Sequence, residues 1–343
     1  MTKRIVFIVI GLVSLVGLSI FGNSFYWEHY PVPKEPSAEW EPYVSSLDVK
    51  REKYFVEIEG VKIEAELFIP NGGRDQKPAV VFSPGSGDSL YQNYSWGMVE
   101  DGILDVFLPR DMAVLLINKR GMGLSEGNWV KNTFEERAVD VYAAITSIQG
   151  HPSIDKENIG VVGHSQGGWI AVRAAAEYPD ITFFISLAGP TMTVDEQGVD
   201  TNTHDGLCEG LEGDALLEYV EENESSRRFG QKLGRWTGFG MWGYDEGIAR
   251  YDPREDIRAI TVPGLFLFAE NDDLVTPAIN IERLDSIFSG DVPVNFQTAV
   301  VAKATHVFSM VDDVCDSWIN PWDHKRSPEL AEILEAWLEG QGY

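Results

Sequence analysis

Gly163-His164-Ser165-Gln166-Gly167 sets a serine among glycines, directly after the apolar run of Val161 and Val162 and before Trp169-Ile170. A serine hydroxyl is a weak nucleophile until a base takes its proton and a third group orients that base. Gly-x-Ser-x-Gly spacing suits a sharp strand-to-helix turn, where the two backbones approach too closely for side chains beside the nucleophile. Such a turn also leaves Ser165 at a helix N-terminus, whose N–H groups favour developing negative charge. A plain turn would use the same glycines. The strand before and the helix after favour the nucleophile.

The base must come from one of six histidines. His306, in "VVAKATHVFSM", lies just beyond the last expected strand, where a loop would rise over a sheet. The others fit less well: His29 is in the lead-in, His151 precedes a proline, His164 points off the turn, His204 sits in a long insertion and His324 near the last helix. The competing role for His306 is a buried structural histidine. For the orienting acid, "AENDDLVTP" offers Asp272 and Asp273 at a strand's C-terminal end, where α/β sites collect. Asp272 is chosen because its spacing to Val275 and Pro277 fits a loop folding back after the acid; Asp273 is the alternative. The chain order Ser165, Asp272, His306 is that of the Gly-x-Ser-x-Gly hydrolases. Two backbone donors are needed for an oxyanion. Gln166 N–H is one, and the glycine-rich "SPGSGDS" supplies the other from Ser86, with Gly85 as the alternative.

These residues require a sheet to carry them. "KYFVEIEGVKIEAELFIP" alternates and turns at Glu59-Gly60, a hairpin. Continuous apolar runs at 78–84, 112–118, 158–163, 182–189, 264–270 and 294–301 predict parallel strands covered on both faces. Helices are predicted at 134–149, with Ala138, Val139, Tyr142, Ala143 and Ile145 or Ile148 inward, at 167–179, and at 327–340 behind a Ser327 cap. Strands alternating with helices mean an α/β fold with a mostly parallel central sheet flanked by helices. The stretch from about 191 to 258 is too long for a connection and reads as an inserted cap. Residues 51–343 thus form the domain and 23–50 a linker or lead-in.

Residues 1–22 begin with Lys3 and Arg4 before eighteen uncharged residues, Ile5–Gly22. That run is about the length that crosses a bilayer, and lacking a small-x-small cleavage site it reads as an uncleaved anchor rather than a removed signal. Either way the positive flank places the catalytic part outside the cytoplasm, held to the membrane or released from it. The 343-residue chain has 54 acidic and 27 basic side chains, a net charge of −27, which disfavours nucleic-acid partners. The histidines and the two cysteines show no metal-ligand spacing, so neither metal nor cofactor is expected. Cys208 and Cys315 could pair in an exported protein, tying the cap to the loop after His306; their separation neither supports nor forbids it.

Beyond these residues, "FSPGSGDS" (82–89), "NKRGMGLSEG" (118–127), "IDKENIGVVGHSQGGWIA" (154–171), "YDPREDIRAITVPGLFLFAENDDLVTP" (251–277) and "ATHVF" (304–308) resemble the α/β-hydrolase superfamily. The similarity is to exported serine aminopeptidase-like and prolyl-oligopeptidase-like hydrolases, over about residues 50–340. It implies an α/β-hydrolase fold and a loop at 119–125 that shapes the site without doing chemistry. One departure is Pro84-Gly85, where many members have His-Gly. The expected function is a serine hydrolase cleaving a small carboxylic ester through an acyl-enzyme. The alternatives are a peptidase or aminopeptidase on short peptides, an acyltransferase, or a non-catalytic surface binding protein. Aromatics at 234–247 suggest either an apolar acyl pocket or packing within the cap.

Overall fold

The structure is a computed structural model that describes residues 34–237, 248–317 and 325–343, with Gly17 and Val32. The expected anchor (1–22), apart from Gly17, and most of the aromatic stretch at 234–247 lie outside the described residues. Among the described residues no helix is long and apolar enough to cross a membrane.

Eight strands form one sheet: β1 (Val49–Ile58), β2 (Val61–Pro70), β3 (Lys77–Ser83), β4 (Ala113–Ile117), β5 (Ile154–His164), β6 (Phe184–Leu187), β7 (Gly264–Ala269) and β8 (Phe296–Val301). Their order is β1-β2-β4-β3-β5-β6-β7-β8. β2 runs antiparallel to β1 and β4, and the pairs from β4 to β8 are all parallel. The hairpin turns at Glu59 and Gly60, whose φ values of 51° and 82° are the positive pair that a tight two-residue turn demands.

The apolar runs are continuous because neighbouring residues serve two cores. Val81, Leu115 and Val161 join one layer, while Phe82, Leu116 and Val162 join the other. Each fully buried side chain of this kind is worth about 1.5–3 kcal/mol. The first layer is closed by α1 (Phe134–Gln149) and α2 (Gln166–Glu177). After them come α3 (Val194–Cys208), α4 (Gly213–Thr237), α5 (Arg254–Ala259), α6 (Pro277–Ile287) and α7 (Pro328–Gln341), the last closing the second layer with Leu334 and Leu338.

Three expectations need correcting. The inward stripe of α1 is Phe134, Ala138, Val141, Ala144, Ile145 and Ile148, rotated from the one predicted. Tyr142 instead stacks on Tyr178 outside the core, ring centroids 3.9 Å apart. β8 is an edge strand, so Gln297, Thr298 and Val300 face solvent and only Phe296 and Val301 are buried within it. The latter half of the lead-in belongs to the domain. Trp40 is wholly buried against Phe68 and Tyr91, and Lys34 donates to the carbonyls of Gly121 and Gly123.

Because β3, β5, β7 and β8 are parallel, the loops after them emerge at one edge of the sheet. Those loops hold Ser86, Ser165, Asp272 and His306. Between β6 and β7 lie the helices α3, α4 and α5. Thr193 and Glu196 cap the start of α3 reciprocally, and Cys208 at its end is disulfide-bonded to Cys315.

Candidate active site

Ser165 sits between β5 and α2 with φ 56° and ψ −126°, a conformation that costs a non-glycine residue about 1–3 kcal/mol. Its surroundings hold it there. Ser165 N–H donates to Leu187 O at 2.8 Å, and Gly168 N–H donates to Ser165 O at 2.8 Å. A Cβ at Gly163 would collide with the backbone of Gly167, and one at Gly167 with the carbonyl of Ser83. These are backbone-to-backbone approaches that no rotamer relieves. A Cβ at Gly85 would lie 2.9 Å from Ser165 Cβ and collide with Tyr94 Oη, so the loop after β3 crosses directly beside the nucleophile candidate.

His306 and Asp272 meet across 34 positions of sequence. The Nδ1–H of His306 donates to Asp272 Oδ2 at 2.8 Å and Oδ1 at 3.0 Å. Asp272 Oδ1 also accepts from Leu274 N–H at 2.9 Å and Val275 N–H at 2.8 Å, so the chain folds back over the acid as the spacing suggested. Of the two neighbouring aspartates, Asp272 is the one bonded to the imidazole. Burial pushes the His306 pKa down, but the Asp272 charge and hydrogen bond, with Asp273 behind them, bring it above the ordinary 6.5. The His306 carbonyl lies 2.8 Å from His164 Nε2, beside Ser165 in sequence, and the two imidazole centroids are 5.0 Å apart.

For the oxyanion, Gly85 is ruled out as a donor because its N–H is already given to Tyr94 Oη at 2.6 Å. Ser86 is the remaining candidate from that loop. Gln166 is the first residue of α2, ahead of the helix's own hydrogen-bond ladder. Its side-chain carbonyl accepts from Arg137 Nη1 at 2.5 Å.

Three side chains organise this edge, two of them absent from the sequence reading. Lys119 donates to the carbonyls of Gly85 (2.9 Å) and Gly87, and Arg137 to that of Pro84, so the loop over Ser165 is gripped through its oxygens. Burial, reinforced by Arg137, drives the Lys119 pKa well below its usual range. The third is Tyr94, which links Gly85 to His164 Nδ1. Lys119 lies in the "NKRGMG" signature and was readable there as loop-shaping; Arg137 and Tyr94 carried no spacing signal. His151 accepts from Ser153 N–H and pairs with Glu52, and His204 lies on α3 beside Asp200 and Arg283; His29 and His324 lie outside the described residues. Among the described residues no group of three metal-ligating side chains exists.

Structural comparison decides the architecture. The chain superposes on the Pyrococcus furiosus esterase Pf2001 with a TM-score of 0.57 over 90% of this chain and 96% of that one, at 17% identity. The chain has the α/β-hydrolase fold. Butyrivibrio proteoclasticus Est1E, solved with ferulic acid bound, gives a TM-score of 0.55 at 17% identity over 84% of this chain and 98% of its own. Residues 76–209 match the family described as serine aminopeptidase, S33. They include the loop after β3 and the Ser165 turn but end before Asp272. By sequence, the chain is 28% identical over 134 residues to the thiohydrolase aneE of Aspergillus aculeatus, 39% of each protein's length.

Proposed function

We propose that this protein is a serine hydrolase that cleaves a carboxylic ester through an acyl-enzyme. The observation that carries the reading is the backbone of Ser165, strained at φ 56° on a helix N-terminus and held at the edge where the buried His306–Asp272 pair emerges. In the first step Ser165 Oγ attacks the carbonyl carbon while its proton passes to His306 Nε2. The carbonyl oxygen takes the negative charge against the N–H groups of Gln166 and Ser86. The leaving alkoxide then departs with the proton from His306. Water, deprotonated by the same nitrogen, releases the acid and regenerates Ser165. Asp272 keeps the proton on Nδ1, so that Nε2 stays the base.

The similarity to esterases, one holding ferulic acid, and to a thiohydrolase supports acyl transfer to water from an ester-like carbonyl. A peptidase acting on short peptides is the second reading, favoured by the serine aminopeptidase match over residues 76–209. A fluorophosphonate probe tests the nucleophile. One adduct per chain at Ser165 is expected, and an unlabelled native protein would overturn the assignment. A panel of p-nitrophenyl esters of graded chain length against aminopeptidase substrates then separates the two readings.

The pH dependence has a definite sign. His306 accepts a proton only when neutral, so kcat/KM rises with pH through the pKa of His306 in the free enzyme. Asp272 raises that pKa, which places the midpoint of the acid limb above 6.5. Asp272→Asn removes the charge and leaves the burial, so its limb moves to lower pH. A limb that stays in place in Asp272→Asn would contradict this assignment of the acid.

We also place the catalytic part outside the cytoplasm, held by residues 1–22. The Cys208–Cys315 bond supports an oxidising compartment. Recovery of the protein in the soluble fraction of gently broken cells with both thiols free would count against it.

A further inference from the structure

His164 lies beside the nucleophile candidate, yet both its nitrogens are committed elsewhere. Nε2 is 2.8 Å from the His306 carbonyl oxygen. A carbonyl oxygen only accepts, so the proton is on Nε2 and Nδ1 presents a lone pair. Tyr94 Oη, 2.8 Å from Nδ1, must then donate to it. The hydroxyl oxygen is left to accept, and it does so from Gly85 N–H at 2.6 Å. Donor chemistry thus fixes every proton in a buried line from Gly85 through Tyr94 and His164 to the backbone of His306. Tyr94 and His164 are almost wholly buried, at 3% and 1% exposure.

Resting on the serine-hydrolase reading, we propose that Tyr94 and His164 are positioning residues that tie the oxyanion-donor loop at 84–87 to the backbone of the general base. One end of the line sets Gly85, next to the donor Ser86. The other sets His306. Both are thereby referred to residue 164, the immediate neighbour of Ser165, so donor, base and nucleophile share one frame. Misplacement of about 1 Å in such a frame is enough to cost on the order of a hundredfold in rate.

The electrostatics suit a neutral link. His164 is faced by Tyr94, His306 and Arg326, and His306 by Asp272, Asp273 and His164. Burial, with His306 and Arg326 adding to it, holds the His164 pKa well below 6.5. Burial likewise pushes Tyr94 up to about 12, preserving its O–H as a donor. When His306 takes the serine proton, the imidazole 5.0 Å away therefore adds no opposing charge. Tyr94 is itself placed by a kink, where Ser95 takes φ 47° and its carbonyl accepts from Arg326 Nη2 at 3.4 Å. Arg326 also donates to Val307 O, so a second strut joins the same two segments.

The test compares Tyr94→Phe, His164→Leu and His164→Gln with wild type, counting sites by fluorophosphonate labelling so that misfolded protein is excluded. Per labelled site, Tyr94→Phe is expected to lose on the order of tenfold in kcat, and His164→Leu more, with KM held within about twofold. The acid limb of kcat/KM should move toward 6.5 as the hold on His306 loosens. The carboxamide of His164→Gln can again offer an N–H to the His306 carbonyl and should recover part of the loss. Wild-type constants and an unmoved limb in Tyr94→Phe and His164→Leu, with only a lower Tm, would overturn the proposal. If wild-type protein fails to label, the hydrolase reading falls and takes the proposal with it.

Discussion

Ser165→Ala is expected to lower kcat by about 10⁶-fold, His306→Ala by about as much, and the double variant by no more than either alone. The reason is that nucleophile and base act as one unit. Without the hydroxyl there is nothing for His306 to deprotonate, and without the imidazole the hydroxyl stays a weak nucleophile. Asp272→Asn leaves the unit in place but loses the carboxylate that holds Nδ1–H at 2.8 Å, a change worth about 10⁴-fold. Ser165 makes no side-chain capping bond to α2, so its truncation leaves the turn supported by the same backbone contacts. Turnover of a p-nitrophenyl ester by the four variants is the measurement. Additive losses in the double variant would mean that the two residues serve different steps. Near-normal turnover by Ser165→Ala would remove the acyl-enzyme altogether.

Replacing Cys208 and Cys315 together by serine is expected to destabilise the protein by about 2–4 kcal/mol. The bond closes a loop between positions 107 apart, and the entropy withheld from the unfolded chain grows with that length. It also joins the end of α3 to the segment that follows His306, so the lost constraint falls on helices between β6 and β7 and on the loop of the base. A shift of several degrees in Tm is expected for a domain of this size. Comparing oxidised with reduced wild type, beside the double serine variant, separates the cross-link from the local cost of the substitutions. Equal Tm values for the oxidised wild type and the double variant would show that the bond constrains nothing in the unfolded chain.

The parts of this architecture that the sequence made legible are those with strong local periodicity or strict steric demand. The apolar runs mark β3 to β7 because each residue there is covered on one face or the other. The glycines around Ser165 are legible because backbone collisions leave no alternative. β8 was misjudged as a covered strand, since a lone edge strand and a buried one share β-branched composition and differ only in what packs outside them. The α1 stripe was rotated because Ala and Val occur on both its faces, whereas the tyrosine that looked inward found a partner in Tyr178. At the candidate site, Ser165, Asp272 and His306 stand at strand ends that chain order can locate. Tyr94 and Arg137 do not. They act through side-chain tips brought from as far as 70 and 53 positions away, to His164 and Pro84, and no spacing rule encodes such contacts.

The loop bearing His306 carries, besides its short-range backbone bonds, two ties of very long sequence separation: His164 across 142 positions, and, through Arg326, Ser95 across 231. Contacts of such separation pay their chain-closure entropy only after the intervening segments have been built. The sheet from β3 to β6 can therefore form while the base is still adrift, and the assembly of donor, nucleophile and base becomes a closing event of folding. Folding and catalytic competence are then reached in sequence, the second after the first.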